Sequence, residues 1–262
     1  MNYARHRDCP RALALANRLA EAARTIARGS FRSAITVEQK ADRSPVTAAD
    51  RAIETEMRRL IRAEFPTHGI QGEEFADEAG AEFTWVLDPI DGTKSFISGY
   101  PLFGTLIALT HGAHAVLGVI EASALGERWV GVEGSPTLCN GVAVHTSHCT
   151  SIEQARVYST TTDAFDGERL RRYDAYSRRA VIRRYGGDCY LYGLLAAGHC
   201  DLVIEAAMKP HDFQALVPVV KGAGGKISDW SGRALDANSG DSVLAAATQA
   251  LWTQAVEALA GS

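Results

Sequence analysis

From about residue 84 to residue 146 the chain is a succession of short apolar runs separated by glycine, proline and polar pairs. TWVLD is a compact apolar run of the kind that a buried strand shows. TLIALTHGAHAVLGVIEA reads as two strands joined at a His-Gly-Ala-His turn, and ERWVGVEG and SPTLCNGVAVHT as further strands. Helical patterns precede this block. Leu13, Leu15, Ala16, Leu19, Ala22, Ala23 and Ile26 form an apolar stripe from Pro10 to Gly29. A second helix is predicted from Thr47 to Glu64, with Ile53, Met57, Leu60 and Ile61 on one face and Pro66 beyond its end. Between them FRSAITVEQK reads as an extended arm, ADRSP as a polar loop and, further on, HGIQGEEF as a short strand running into an acidic loop.

After Thr150 the pattern alternates. ARVYSTT is a strand, Gly167–Arg178 a polar helix and Ala180–Tyr185 a short strand. CYLYGLLAAGHCDLVIEA starts as a helix and turns at Gly198 into a strand. A helix follows Asp212, with a kink expected at Pro218 and a stop at Gly222 or Gly224. GGKISDW, SVLAAAT and a helix to Leu259 complete the chain. Helices, a mainly antiparallel β block, then alternating α and β predict an α+β fold in a layered αβαβα arrangement, not a Rossmann repeat. Neither GxGxxG nor GxxxxGK[ST] occurs, which removes the main support for dinucleotide and P-loop readings.

At 262 residues the chain is expected to be one domain of two intimate halves, about 1–150 and 151–262. Its 46% apolar and 22% charged residues exclude a disordered chain, a coiled coil and a collagen-like repeat. No apolar run approaches the ~20 residues of a membrane span. Arg and Glu interrupt the N-terminal segment, which lacks the apolar core of a signal peptide, so a cytoplasmic location is expected. The net charge, 27 − 31 = −4, argues against general nucleic-acid binding. Cys9, Cys139, Cys149, Cys189 and Cys200 are odd in number and contain no CxxC pair, which predicts free thiols. His111 and His114, without a third ligand, read as turn residues.

Asp88-Pro89-Ile90-Asp91-Gly92-Thr93 is the most informative stretch. Asp88 falls where the WVL strand should end, and Pro89 and Gly92 bound a tight turn that could bring both carboxylates to one side. Paired carboxylates repel unless a cation sits between them, and hard oxygen donors suit Mg²⁺. Thr93 could cap a short helix whose free amides face an anion. The alternative is an Asx-type turn with solvated aspartates. Taken singly, Glu73-Glu74 after GIQ is a surface acid pair, and Asp50 and Asp212 are first-turn helix acids.

In this order, Asp50, Gly72-Glu73-Glu74, the 88–93 motif, and Asp212 followed by Ala223-Gly224-Gly225 resemble the inositol monophosphatase superfamily over nearly the whole chain. The resemblance implies a layered phosphatase fold and two or three Mg²⁺ per site, with a first half holding metal and phosphate and a second completing the pocket. By the same resemblance Glu73, Asp88, the Ile90 carbonyl, Asp91 and Asp212 are metal ligands, and Glu74 is a hydrogen-bonding neighbour. Gly92, Thr93 and Lys94 begin the phosphate-cradling helix, while Asp50 and Thr93, with Glu73, position the attacking water. A homodimer acting on a small phosphomonoester is implied in the same way, with no nucleic-acid or membrane partner.

GGDCYLYGLLAAGHCDLVIEA and Lys209-Pro210-His211-Asp212 resemble the histidinol-phosphate phosphatase branch, which has Tyr where this chain has His211. Histidinol phosphate carries an ammonium that Asp188 and Glu205 could meet. Asp188 could instead cap the helix that follows it, and Glu205 could accept from a hydroxyl of inositol phosphate. Arg184 matches a pocket-side arginine of the family. An RNA-binding surface made of Arg171, Arg172, Arg178, Arg179, Arg183 and Arg184 is the competing class. Asp166, Glu168 and Asp174 interrupt it.

Overall fold

The computed structural model describes residues 2–34, 36–39 and 45–260. Four of the five ADRSP positions, and Ile35 and Lys40 of the preceding arm, lie outside the described residues. Helices α1 (Cys9–Ser30) and α2 (Ala48–Glu64) form where their apolar stripes predict. Within the arm only β1 (Val37–Gln39) is a strand, and it pairs antiparallel with β2 (Pro45–Thr47). Thr47 caps α2. Its hydroxyl accepts from the Ala49 amide at 3.2 Å, and its own amide and hydroxyl donate to Asp50 Oδ2 at 2.8 and 2.6 Å. This reciprocal capping sets the first turn of α2 and fixes the Asp50 carboxylate within it.

The first sheet runs in chain order: β3 (Gly69–Gly72), β4 (Phe83–Asp91), β5 (Gly104–His111), β6 (His114–Ala122), β7 (Glu127–Val132), β8 (Leu138–Cys139) and β9 (Val142–Ala143). Its pairs are antiparallel except β3–β4. His111 and His114 face each other across the β5–β6 hairpin, and His111 Nε2 bonds Glu82 at 2.7 Å. The second sheet has the order β11-β10-β12-β14-β13, from β10 (Arg156–Ser159), β11 (Ile182–Tyr185), β12 (Leu202–Glu205), β13 (Lys226–Ser228) and β14 (Val243–Ala246). The remaining helices are α3 (Thr93–Ile97), α4 (Gly167–Ser177), α5 (Tyr190–Ala196), α6 (Pro210–Phe213), α7 (Leu216–Gly222) and α8 (Gln249–Leu259).

Period-two alternation distributes the core. Trp85 and Leu87 of β4, with Ile107 and Leu109 of β5, pack under α1 and α2. Val86, Leu106 and Ala108 point the other way, into a second core with α5, α7 and the inner face of the second sheet. A third core lies between that sheet's outer face and α4 and α8. The layers are therefore α1/α2, sheet, α5/α7, sheet, α4/α8, an α+β fold of five layers as expected.

Three local expectations differ from the structure. The strand at Asp88 does not end there. β4 continues to Asp91 through a shift of register against β5, so the two aspartates sit on a bulged strand, not in a turn. The N-cap of α3 is Gly92, and Thr93 is its first residue. The kinked helix after Asp212 is two helices, and Pro218 is the third residue of α7. A backbone amide has no helical acceptor at that position, so proline is tolerated there without a kink.

Candidate active site

The bulged end of β4 meets the start of α6 and the loop before α5, and this brings carboxylates from both halves of the chain together. Asp88, Asp91 and Asp212 each place an oxygen within 4.8 Å of the others. Asp88 is 2% exposed, and its Oδ1 is buried without a hydrogen-bond partner. Asp91 Oδ2 accepts from the Cys189 amide at 2.6 Å. Asp212 Oδ2 accepts from the Lys209 amide at 2.7 Å, and His211 Nε2 stands 3.4 Å from its Oδ1. Thr105 on β5 donates to the Pro89 carbonyl at 2.7 Å and so pins the bulge.

Burial, followed by the charges of Glu73, Asp91 and Asp212, pushes the Asp88 carboxyl well above its usual range. Burial, Asp188 and Asp212 do the same to Asp91. Asp212 is raised chiefly by burial, against the opposing effect of His211. Such a set is suited to a hard divalent cation. It supplies only oxygen donors, it carries more negative charge than its surroundings neutralise, and one oxygen is left unpartnered in the interior. Asp50, close enough to Glu73 to feel its charge, has the same signature. It is 1% exposed, with Oδ1 unpartnered, and burial raises its carboxyl with Glu73 as a further contributor.

Two cavities open on these acids. One of about 460 Å³ is lined by Glu73, Thr93, Lys94, Tyr100 and Asp188 among others. The second, about 180 Å³, joins Asp91 and Asp212 to Asp188, Cys189 and Glu205. Asp188 is not the cap of α5. The N-cap is Cys189, and Asp188, at φ 46°, turns back to accept from Ser95 at 2.9 Å. A Cβ on Gly92 would come 2.7 Å from the Asp188 carboxylate, and Gly92 has φ 81°, so glycine is required there on both counts. Burial raises the Asp188 carboxyl, with Ser95 and Lys94 opposing it. Glu205 accepts from the Thr160 amide at 2.8 Å and the Tyr192 hydroxyl at 3.0 Å, and burial pushes it up to about 7.

The water-positioning pair expected at Asp50 and Thr93 is not joined by a hydrogen bond among the described residues. Thr93 donates to the Ile90 carbonyl at 3.0 Å, and the bonded oxygen of Asp50 is held by Thr47. Arg184 stays outside both cavities. It is exposed on β11, the edge strand of the second sheet. Of the other cluster arginines, Arg171 and Arg172 pair with Glu168, Arg178 and Arg183 with Asp174, and Arg179 with Glu153. The sequence reading missed Ser95, Tyr100, Thr105, Thr160 and Tyr192, whose roles arise from contacts between strands and loops far apart in the chain. It also missed Glu54, although Glu54 and Arg58, four apart beside the Ile53–Met57–Ile61 stripe, are a visible signal.

Because these acids keep their protons to higher pH when folded than when unfolded, the metal-free protein binds more protons than its unfolded chain across that interval. Stability is then greatest below the ordinary carboxyl range and declines as pH rises, for Glu205 up to about 7. The melting temperature of EDTA-treated protein should fall by several degrees from pH 5.5 to 8, and saturating Mg²⁺ should flatten that dependence. A scan of melting temperature against pH, with and without Mg²⁺, checks this. Equal slopes in the two conditions would contradict it.

A buried cluster of carboxylates, opening on a cavity where elements of both sheets meet, defines a site suited to a divalent cation. The inositol monophosphatase family matches residues 10–260, and the chain belongs to that family. It is 45% identical over 229 residues to the bifunctional phosphatase IMPL2 of Arabidopsis thaliana, covering 86% of this chain and 66% of that protein. It is 38% identical over 224 residues to a histidinol-phosphatase of Chlorobaculum parvum, covering 84% and 86% of the respective chains. The fold superposes on an inositol monophosphatase from Zymomonas mobilis with a TM-score of 0.88 at 45% identity, covering 95% of this chain and 98% of that one.

Proposed function

We propose that the protein is a Mg²⁺-dependent phosphomonoesterase that hydrolyses L-histidinol phosphate to L-histidinol and phosphate, acting in the cytoplasm as a homodimer. The observation that carries the substrate assignment is the placement of Asp188 and Glu205 in one small cavity with Asp91 and Asp212. The phosphate end of any candidate substrate meets the same residues, so discrimination falls to the alcohol end. There the cavity is acidic, and histidinol phosphate brings an ammonium. Glu205, pushed up to about 7, holds its charge best beside a cation. Thr160 and Tyr192 fix the direction in which it points. The similarity to a histidinol-phosphatase supports the same reading.

Glu73, Asp88, the Ile90 carbonyl, Asp91 and Asp212 would hold two or three Mg²⁺ ions. When bound, these ions lower the pKa of a water and neutralise the phosphoryl oxygens. The residues of the chain do the rest. Thr93 holds the Ile90 carbonyl in place, and Gly92, Thr93 and Lys94 face the phosphate from the start of α3. Asp50 keeps one oxygen, Oδ1, to accept a proton from a water beside Glu73. Residues 1–150 thus supply the phosphate groups and every metal ligand but Asp212, which comes with the alcohol side from residues 151–262. The second reading is an inositol-1-monophosphatase, in which Glu205 accepts from a hydroxyl of the inositol ring. The 45% identity to the Zymomonas enzyme favours it.

The test is a phosphate-release assay with Mg²⁺ over histidinol phosphate, inositol 1-phosphate, fructose 1,6-bisphosphate and adenosine 3′,5′-bisphosphate. Histidinol phosphate should show the highest kcat/KM, by at least ~10-fold, the order of one charged contact. A preference for inositol 1-phosphate would replace the first reading with the second.

A further inference from the structure

The segment that carries Glu73 is built around a carboxylate from another element. β3 ends at Gly72, and the chain returns at Glu78, whose amide and carbonyl bond Ile70 at 2.8 and 2.9 Å. The loop closed by that bridge encloses Glu54 of α2, a residue with 0% exposure. Glu54 Oε2 accepts from the Glu74 amide at 2.8 Å, and Oε1 from the Phe75 amide at 3.3 Å. Arg58, one helical turn on and 3% exposed, donates to Glu54 Oε1 at 2.8 Å, to Glu78 Oε1 at 2.8 Å and to the Phe75 carbonyl at 3.1 Å. A Cβ on Gly72 would lie 2.0 Å from Glu54 Oε1, so only glycine lets the loop close over that carboxylate.

A carboxylate buried this deeply is tolerated because its acceptors are used. Its charge is matched by Arg58, so it adds no net repulsion to the acids of the active site. Its bonds go to the two amides that directly follow Glu73, and its place in α2 is one turn from Asp50. We propose that Glu54, clamped by Arg58, is a positioning residue for Glu73. It sets where the Glu73 carboxylate stands relative to Asp88, and through that the affinity of the site for divalent cations, without itself touching a cation. The proposal rests on the metal-binding reading of the site and is independent of the substrate.

The experiment strips full-length protein with EDTA and titrates it with MgCl₂ while following its melting temperature, for wild type, Glu54→Gln and Glu54→Asp. Glutamine keeps the shape but turns an NH₂ group toward donors, so the loop must shift. The Mg²⁺ concentration at the midpoint of the stabilisation should rise at least ~10-fold in Glu54→Gln, as when a group supporting a metal ligand is lost. At saturating Mg²⁺, kcat should return to within ~3-fold of wild type, because the ligands themselves are intact. Glu54→Asp keeps the charge and the Arg58 pair but retracts by one methylene, and should show a smaller rise. A role in folding alone would lower the melting temperature equally at every Mg²⁺ concentration, and an unchanged midpoint would overturn the proposal. If Glu54→Gln does not fold, the midpoint of Glu54→Asp decides in the same way. A wild-type protein that gains no stability from Mg²⁺ would overturn the metal reading and this proposal together. A wild-type gain with unchanged variant midpoints would overturn this proposal alone.

Discussion

Asp88→Asn should lower kcat at least ~100-fold, a loss of several kcal/mol in the stabilisation of transition-state charge. Of Asp88, Asp91 and Asp212, Asp88 is the most deeply buried, and its Oδ1 has no partner in the protein. Asparagine matches the shape but offers one neutral oxygen where two anionic ones stood. Nothing nearby replaces them, because Asp91 and Asp212 each have an oxygen bonded to a backbone amide. The fold should not suffer. Burial and three acidic neighbours already hold the Asp88 carboxyl toward its neutral form, which asparagine resembles. The melting temperature of the metal-free variant at pH 8 should therefore be no lower than that of wild type. Steady-state assays and thermal melts on the same preparation check both halves. Activity close to wild type in this variant, or in EDTA-treated enzyme without added metal, would reject the metal-assisted mechanism.

Glu205→Gln and Asp188→Asn should each weaken the use of histidinol phosphate by roughly 10- to 1000-fold, the range for breaking one side of a buried charge pair. Both acids line the cavity beside Asp91 and Asp212, and both are placed by specific bonds, from Thr160 and Tyr192 in one case and from Ser95 in the other. Hydrolysis of glycerol 2-phosphate, which has no amine, should change little. The ratio of kcat/KM for the two substrates is the measurement. Equal losses on both would assign the two acids to the architecture of the site and restore the inositol-phosphate reading.

The long elements were legible because each carries its own periodicity. The stripes of α1 and α2, the apolar run of β4 and the histidine-bounded hairpin of β5 and β6 all form where the residue pattern places them. The boundaries at Asp88, Thr93 and Pro218 differ from their residue patterns because contacts, one of them local and two distant in the chain, decide them. Pairing with β5 carries β4 past Pro89 to Asp91. The Ile90 carbonyl takes the Thr93 hydroxyl away from a capping role. The close packing of α7 on β6 and β7 lets the chain restart a helix just before Pro218.

What the sequence determined by itself was the inventory of the site: which acids exist, their order, and the glycines and prolines that bend the chain beside them. These are local properties, written in residue types at short spacing. Only the tertiary structure decided which of those acids meet. Asp91 and Asp212 lie in different halves of the chain, and their approach depends on a core shared by both sheets. Glu54 and Arg58 show in the sequence only as a charge pair one turn apart, and it is the closure of the loop bearing Glu73 that gives Glu54 its partners. Asp188 fits a helix cap as well as a pocket acid in the sequence, and its left-handed backbone, which turns it back toward Ser95, rules out the cap. The raised carboxyls follow from the same cause, since desolvation and like-charge repulsion depend on distance in space, which separation along the chain does not fix.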